Sequence, residues 1–105
     1  MKTPETLTQR NVGAVILDQL GGANRIRAML GVRAFWTRHD SLMFRFAAGR
    51  SLNHIEIKLN FMDLYDVEVW LSRAGDRVNV KSESNVFCGN LVEVCERLTG
   101  LAFRL

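Results

Sequence analysis

The apolar residues of the first 30 positions recur with the period of an amphipathic helix. The pattern predicts one helix from Thr3 or Thr6 to Leu20, and a second, shorter helix from Ala23 to Leu30. Gly31 follows the second helix directly, at a position where a glycine commonly ends a helix. We therefore expect two helices separated by a tight turn in the N-terminal third of the chain.

After residue 40 the apolar period changes from helical to alternating, which is typical of strands with one buried face. Four such runs are joined by short connections that suit antiparallel neighbours: SLMFRFA, HIEIKLN, YDVEVWL and RVNVK. A last helix is predicted from Ser84 or Asn85 to Thr99, with Gly100 as its C-terminal cap. Five apolar residues form its inward face: Phe87, Leu91, Val94, Cys95 and Leu98.

The order of these elements is α-α-β-β-β-β-α, which predicts a single α+β domain over residues 1–105. Because each strand has one apolar side, we expect two layers, a four-stranded antiparallel meander with the helices on one face. The other face of the sheet would lie toward solvent. It would present a tryptophan among polar residues: Met43, Arg45, His54, Glu56, Lys58, Asp66, Glu68, Trp70, Arg77, Asn79 and Lys81.

Length and composition indicate a globular protein with a single core. With 105 residues, of which 48% are hydrophobic, the chain can bury one core without disulfides or metal ions. No apolar run approaches the roughly 20 residues that cross a bilayer, so we expect a cytoplasmic protein that does not enter a membrane. Cys88 and Cys95 would lie two turns apart on one helix face, too far for a disulfide, and are expected to be reduced, buried thiols.

The net charge of +3 is unevenly distributed along the chain. Residues 1–50 carry eight lysines and arginines against three acidic residues, whereas residues 51–105 carry six against eight. A positive N-terminal half is typical of proteins that bind nucleic acid or an acidic protein. Solvated arginines around a small domain produce the same composition.

Two sets of residues are candidates for binding. A tryptophan on the solvated sheet face, with cations on neighbouring strands, predicts an anchor for a protein partner, unless a chain segment or a second copy covers it. This first set is Trp70, Arg45, Lys58, Arg77 and Lys81. A second set could contact the phosphates of nucleic acid and stack a base, unless its tryptophan closes the edge of the core. It consists of Arg25, Arg27, Arg33, Arg38 and Trp36.

The polar residues have a structural explanation that needs no catalysis. His39 suits a turn, and Asp66 and Glu68 suit surface ion pairs with Lys58 and Arg77. The chain carries no Cys-x-x-Cys, His-Glu-x-x-His, Gly-x-Ser-x-Gly or phosphate-loop motif. We therefore expect no catalytic residue, no metal ion and no cofactor.

Two stretches resemble known phage proteins. Residues 17–32 resemble the start of Cro-like phage repressors, but the alternating SLMFRF stands where a recognition helix should follow. A longer resemblance covers residues 16–101: LGGANRIRAMLGVRAF, SLMFRF, HIEIKLNFMDLYDVEVW and LTGL are similar to a widespread family of small uncharacterised proteins of bacteriophages, prophages and plasmids.

That family has Leu-Gly-Gly, an aromatic residue, Met-Thr-Gly-Ala-Lys, a strand, and an Asp-x-Tyr-Asp turn before the next strand. The stretch MDLYDVEV matches it best, and its Asp-Leu-Tyr-Asp is expected to form a side-chain-capped turn. The glycine loop departs from the pattern, because Ile26, Leu30, Val32 and Arg33 replace the aromatic residue, the threonine, the alanine and the lysine.

The resemblance implies a mobile-element protein but no reaction. We therefore expect a non-enzymatic accessory protein in the cytoplasm of a bacterial host, which binds a host protein or nucleoprotein complex, for example as an anti-defence inhibitor. The alternative is direct binding of nucleic acid through the basic N-terminal half.

Overall fold

The alternating segments of the chain pair as an antiparallel sheet, and the helical segments pack against it. The computed structural model describes residues 12–47 and 52–104. Its elements in chain order are α1 (Val12–Gln19), α2 (Ala23–Leu30), β1 (Ala34–Thr37), β2 (Ser41–Arg45), β3 (His54–Leu59), β4 (Tyr65–Arg73), β5 (Asp76–Val86), a 3-10 turn (Cys88–Asn90) and α3 (Leu91–Thr99).

The sheet is a meander in the order β1-β2-β3-β4-β5, so strands that are neighbours in sequence are neighbours in space. The predicted α+β class and antiparallel sheet are confirmed, but the predicted number of strands is wrong, since the sheet has five. The strand that was missed, β1, has four residues, too few for a recognisable alternation. Its Phe35 pairs with the fully buried Phe44, whereas Trp36 lies on the opposite face beside Met43.

The core lies on one face of the sheet. Phe44, Ile55 and Val69 form a row across β2, β3 and β4, and all three are fully buried. The helices contribute these residues to the same cluster: Ile16, Leu20, Ile26, Leu30, Leu91, Val94, Cys95 and Leu98. Each buried side chain of this size contributes about 1.5–3 kcal/mol, so this shared layer is the main source of stability.

Helix boundaries agree with the sequence for α2 and differ for α3. Gly31 ends α2 in the left-handed region, with φ of 68°. The predicted start of the first helix, at Thr3 or Thr6, lies outside the described residues. The last helix begins at Leu91, because β5 continues to Val86 and includes the predicted cap residues Ser84 and Asn85.

Phe87 is exposed ahead of α3, so its predicted place on the inward face of that helix is wrong. The physical reason lies in β5, which is an edge strand that the helices cover only in part. A strand in that position needs no regular apolar alternation, and its segment KSESN therefore gives no strand signal in the sequence.

Two β-bulges change which face the side chains of β5 occupy. The register of β5 against β4 shifts by one residue at two points, and these contain Asn79 and Asn85, with φ of 55° and 58°. Asparagine tolerates this left-handed conformation better than most residues, and such residues are typical of bulges. As a result Lys81 pairs with the buried Val69 on the helix-covered face, not on the open face as predicted, and Val80 is exposed.

Both cysteines are free thiols, but only one is buried. Cys95 is enclosed in α3, where burial raises its pKa to about 12 and keeps the thiol protonated. Cys88 is exposed in the turn before that helix, so the prediction of two buried thiols is wrong for this residue. None of the described helices has the length and apolar character needed to span a bilayer.

Gly13 allows α1 to approach the β1–β2 turn very closely. Its backbone N–H donates to the carbonyl oxygen of Arg38 at 3.0 Å. A Cβ atom at this position would lie 2.3 Å from the carbonyl oxygen of Ser41 and 2.8 Å from the Cα atom of Thr37. Because both atoms belong to the backbone, the contact leaves no room for a side chain.

Gly13→Ala is therefore expected to lower the free energy of unfolding by about 1–3 kcal/mol, the usual cost of overpacking. Urea denaturation of this variant and of Gly89→Ala provides the measurement. At Gly89 an added Cβ meets nothing within 4 Å, so a change below about 0.5 kcal/mol is expected there. Equal effects of the two substitutions would contradict the close packing of α1.

Candidate functional site

The predicted anchor Trp70 lies on the open face of the sheet, yet it is only 4% exposed. His54 of β3 stacks on it, with ring centroids 5.4 Å apart and 12° between the planes. Arg77 of β5 places its guanidinium carbon 3.9 Å from the centroid of the indole. The prediction of a solvated tryptophan is therefore wrong, because side chains from the two flanking strands cover it.

The guanidinium of Arg77 has two partners on this face. It lies over Trp70 in cation–π geometry and donates to Glu68 Oε1 at 2.8 Å, the ion pair that the sequence predicts. An exposed ion pair contributes less than about 1 kcal/mol. Its structural effect here is to hold the arginine over the indole. The cluster of His54, Trp70 and Arg77 is called the Trp70 stack below.

His54 belongs to the Trp70 stack as a neutral imidazole. Its pKa lies below the usual value of 6.5, because burial and the positive charges of Arg45 and Arg77 disfavour the imidazolium. The Nδ1 atom lies 2.7 Å from Asn53 Oδ1, which also accepts from the backbone N–H of Ser72. An amide oxygen can only accept, so Nδ1 carries the hydrogen.

The lowered pKa of His54 makes stability depend on pH. In the unfolded chain His54 binds a proton near pH 6.5, whereas in the folded chain it does so only at lower pH. Its contribution to the free energy of unfolding is therefore fully present above pH 6.5 and is lost as the pH falls through the folded pKa. His54→Phe keeps a stacking ring without titration. We expect its melting temperature to fall less than that of the wild type between pH 7.5 and 5.

His39→Gln is the control for this measurement, because it removes the other, exposed histidine of the chain. Its melting temperature should follow the pH dependence of the wild type. An identical slope for His54→Phe and the wild type would contradict the assignment of the acid sensitivity to His54.

The structure brings together three of the five residues predicted to bind a protein partner. Arg45 pairs with His54 across β2 and β3, so that Arg45, Trp70 and Arg77 surround one imidazole. Lys58 lies near the other end of β3, with its Nζ 4.0 Å from an Asp40 carboxylate oxygen. With Lys81 on the helix-covered face, the predicted set does not form one surface.

Two members of the predicted nucleic-acid set share a cleft with one residue of the other set. Arg33, Trp36 and Arg45 line it together with Asn53, at the end of the open face next to β1. The cleft has a volume of about 500 Å³. Trp36 is 43% exposed, so it does not close the edge of the core, which was the other interpretation of this residue. We call this feature the Trp36 cleft.

The other three residues of the predicted nucleic-acid set lie elsewhere. The guanidinium carbon of Arg27 lies 5.2 Å from the ring centroid of Phe35, a residue on the helix-covered side of β1. The aliphatic part of Arg25 lies close to Gly21, at the turn between α1 and α2. Arg38 follows β1 at the end of the strand opposite the Trp36 cleft.

A second exposed feature is the connection between β3 and β4, residues 60–64, which was not predicted as a site. Phe61 is 96% exposed there, and Met62 is also exposed. The exposed Phe87 lies at the same end of the sheet, because it follows Val86, the strand partner of Tyr65. We call residues 60–64 the Phe61 turn.

Two backbone hydrogen bonds close the Phe61 turn, from Asn60 N–H to the Leu64 carbonyl oxygen at 2.8 Å and from Asp63 N–H to the Asn60 carbonyl oxygen at 3.1 Å. The side-chain amide of Asn60 adds four more. Asn60 Oδ1 accepts from the backbone N–H groups of Met62 at 2.8 Å and Leu64 at 3.2 Å. Its Nδ2 donates to Asp66 Oδ1 at 3.0 Å and to Asn85 Oδ1 at 2.9 Å. All four hydrogen-bonding positions of the amide are therefore used.

The side chain that caps this turn thus comes from Asn60, and not from the Asp-Leu-Tyr-Asp segment as predicted. Asp63 contributes through its backbone, with φ of 60°. One signal for the site was present in the sequence: the pair Phe61–Met62 stands in a connection too short to fold back onto the core.

Asn60→Ala is expected to lower the free energy of unfolding by about 1–2 kcal/mol, since each lost hydrogen bond contributes roughly 0.5–1.5 kcal/mol and water replaces some of them. Faster amide hydrogen exchange at Met62 and Leu64 should accompany this loss. Asn24→Ala is the matched control, because Asn24 makes one long bond of 3.4 Å with Arg27. A stable Asn60→Ala protein with slow exchange at both amides would contradict the role of Asn60.

Within residues 12–47 and 52–104, no group of three or more His, Cys, Asp or Glu side chains could hold a metal ion. No family model, curated protein or solved structure matches the chain. Among the described residues, the Trp36 cleft and the Phe61 turn are the two candidate sites.

Proposed function

We propose that this protein is a non-enzymatic accessory protein of a phage or another mobile genetic element, which binds a host protein or a nucleoprotein complex. It would act in the cytoplasm of a bacterial host, without a cofactor. One concrete form of this activity is inhibition of a host defence complex, whose working surface the bound protein would occupy.

The observation that carries the binding proposal is the exposure of Phe61 on a turn that is held in place. A phenylalanine that is 96% exposed leaves its whole ring in water. Burying such a ring against a partner contributes about 1.5–3 kcal/mol. Phenylalanine and methionine, the two exposed apolar residues of this turn, are enriched in the cores of protein–protein interfaces.

The hydrogen bonds of Asn60 bear on affinity as well as on shape. A flexible loop would lose conformational entropy on binding, whereas this turn is already ordered before it meets a partner. Phe61 and Met62 have no charged group, so an apolar pocket on the surface of a partner protein is the complementary surface.

The mobile-element part of the proposal rests on the resemblance of residues 16–101 to phage, prophage and plasmid proteins. The stretch of that resemblance with the best match, MDLYDVEV, includes Met62 of the Phe61 turn and runs into β4. This overlap supports the assignment of the turn as the contact surface.

A tagged pulldown from host lysate tests the proposal, with nuclease added to remove partners that are held only by nucleic acid. Wild-type protein should recover a stoichiometric protein partner. Phe61→Ser should recover at least about tenfold less of that partner, as expected from the loss of one buried ring. Phe61→Ser should keep the melting temperature of the wild type, because the side chain of Phe61 is almost fully exposed.

Val80→Ser is the matched control, since Val80 is an exposed apolar residue on β5 outside the Phe61 turn. It should recover the same partner as the wild type. Equal recovery by Phe61→Ser and the wild type would contradict the contact surface, and recovery that disappears with nuclease in the wild type would contradict a protein partner.

A further inference from the structure

The two tryptophans of the open face differ in exposure, because Trp70 is buried and Trp36 is exposed. Trp70 is covered by His54 and Arg77, whereas Trp36 lies on the edge strand β1, where only β2 flanks it. Trp36 is followed across the sheet by Met43 and then by Glu56. The indole of Trp36 is therefore open to a planar ligand.

The arginines beside Trp36 are not neutralised within the described part of the chain. Arg77, Arg97 and Arg104 each contact a carboxylate, whereas Arg33 and Arg45 have no ion-pair partner among residues 12–47 and 52–104. The positive charge of Arg45 also affects its strand partner His54, whose pKa it helps to lower. The Trp36 cleft thus combines an open aromatic ring with two available cations.

The spacing of these groups suits a single nucleotide. Arg45 pairs with Ala34, and Trp36 is the next residue of β1 on the same face, so Arg45 and Trp36 are diagonal neighbours. Diagonal neighbours in a sheet are about 7–8 Å apart, within reach of long side chains. Arg33 lines the cleft from the connection between α2 and β1.

We propose that the Trp36 cleft binds single-stranded nucleic acid, with one base stacked on Trp36 and the adjoining phosphates at Arg33 and Arg45. A base in a duplex has both faces covered by its neighbours, so only an unpaired strand can offer a face to the indole. In the part of the chain that the structure describes, the helices lie on the core face, so none on the open face could enter a major groove.

This site is separate from the Phe61 turn. Asn53 of the cleft and Asn60 of the turn stand at opposite ends of β3, roughly 20 Å apart by the rise of a strand. Binding at the cleft therefore goes beyond the proposed function and can hold whether or not the Phe61 turn binds a protein.

Fluorescence anisotropy of the full chain with labelled oligo-dT and oligo-U of about 15 nucleotides, and with a duplex of equal length, tests the site. We expect at least one single strand to bind more tightly than the duplex at 50 mM salt. Trp36→Ala should weaken this binding by about tenfold, and Trp36→Phe should retain most of it, because a phenyl ring still stacks.

Arg33→Gln/Arg45→Gln should weaken single-strand binding by at least about tenfold and reduce the slope of log affinity against log salt by about 1.4, which is 0.7 for each lost phosphate contact. Arg97→Gln/Arg104→Gln removes the same net charge at arginines that already pair with Glu83 and Glu96, and it should bind nearly as the wild type does. Melting curves of all variants establish that each is folded.

Three results would overturn the proposal. The first is single-strand binding that survives both Trp36→Ala and the Arg33/Arg45 double substitution. The second is duplex binding as tight as single-strand binding. The third is binding of poly-glutamate but of neither oligonucleotide, which would assign the cleft to an acidic protein.

Discussion

Every feature of this molecule depends on the fact that its sheet has only one apolar face. The inward residues of β2, β3 and β4 supply that face, and the three helices that the structure describes converge on it. Because no apolar layer exists on the other side, nothing in the described chain covers it except its own side chains. The open face therefore keeps a tryptophan and two arginines available at its β1 end, while the opposite end presents the Phe61 turn.

The close approach of α1 to the sheet follows from the same requirement. Gly13 lacks the side chain that would keep α1 away from the β1–β2 turn. The hydrogen bond from Tyr65 to Gln19 Oε1, at 2.9 Å, ties the other end of the helix to β4. Contacts of this kind hold the described part of α1 against the sheet.

The sequence predicts those parts of the fold that are governed by strong periodicity and helix-ending glycines. Such patterns predict three parts of the fold: the limits of α2, the pairing of β2, β3 and β4, and the inward face of α3 after Leu91. The four-residue β1 and the polar half of β5 have no periodic signal. Their strand pairing depends on a neighbour already in place, which local sequence does not encode.

The candidate sites were predictable only in part, for a related reason. Alternation correctly placed Trp70 on the open face. Its burial, however, depends on two residues of the neighbouring strands: His54, 16 residues earlier in the chain, and Arg77, seven residues later. The side of Lys81 depends on a bulge at Asn79, where a single left-handed residue reverses the facing of the residues after it. The order of the Phe61 turn depends in part on the amide of Asn60, whose most distant partner, Asn85, lies 25 residues along the chain.

The bulges of β5 have a further consequence for the edges of the sheet. β5 is an edge strand of 11 residues, and its unpaired backbone groups could pair with a strand of another molecule. Such pairing at exposed edges is a general cause of aggregation. At Asn79 and Asn85 the regular ladder is broken, and charged side chains lie between the two breaks, so no long, flat stretch of backbone is offered. The opposite edge, β1, has only four residues. Both described edges therefore offer little regular backbone to which a strand of another molecule could add.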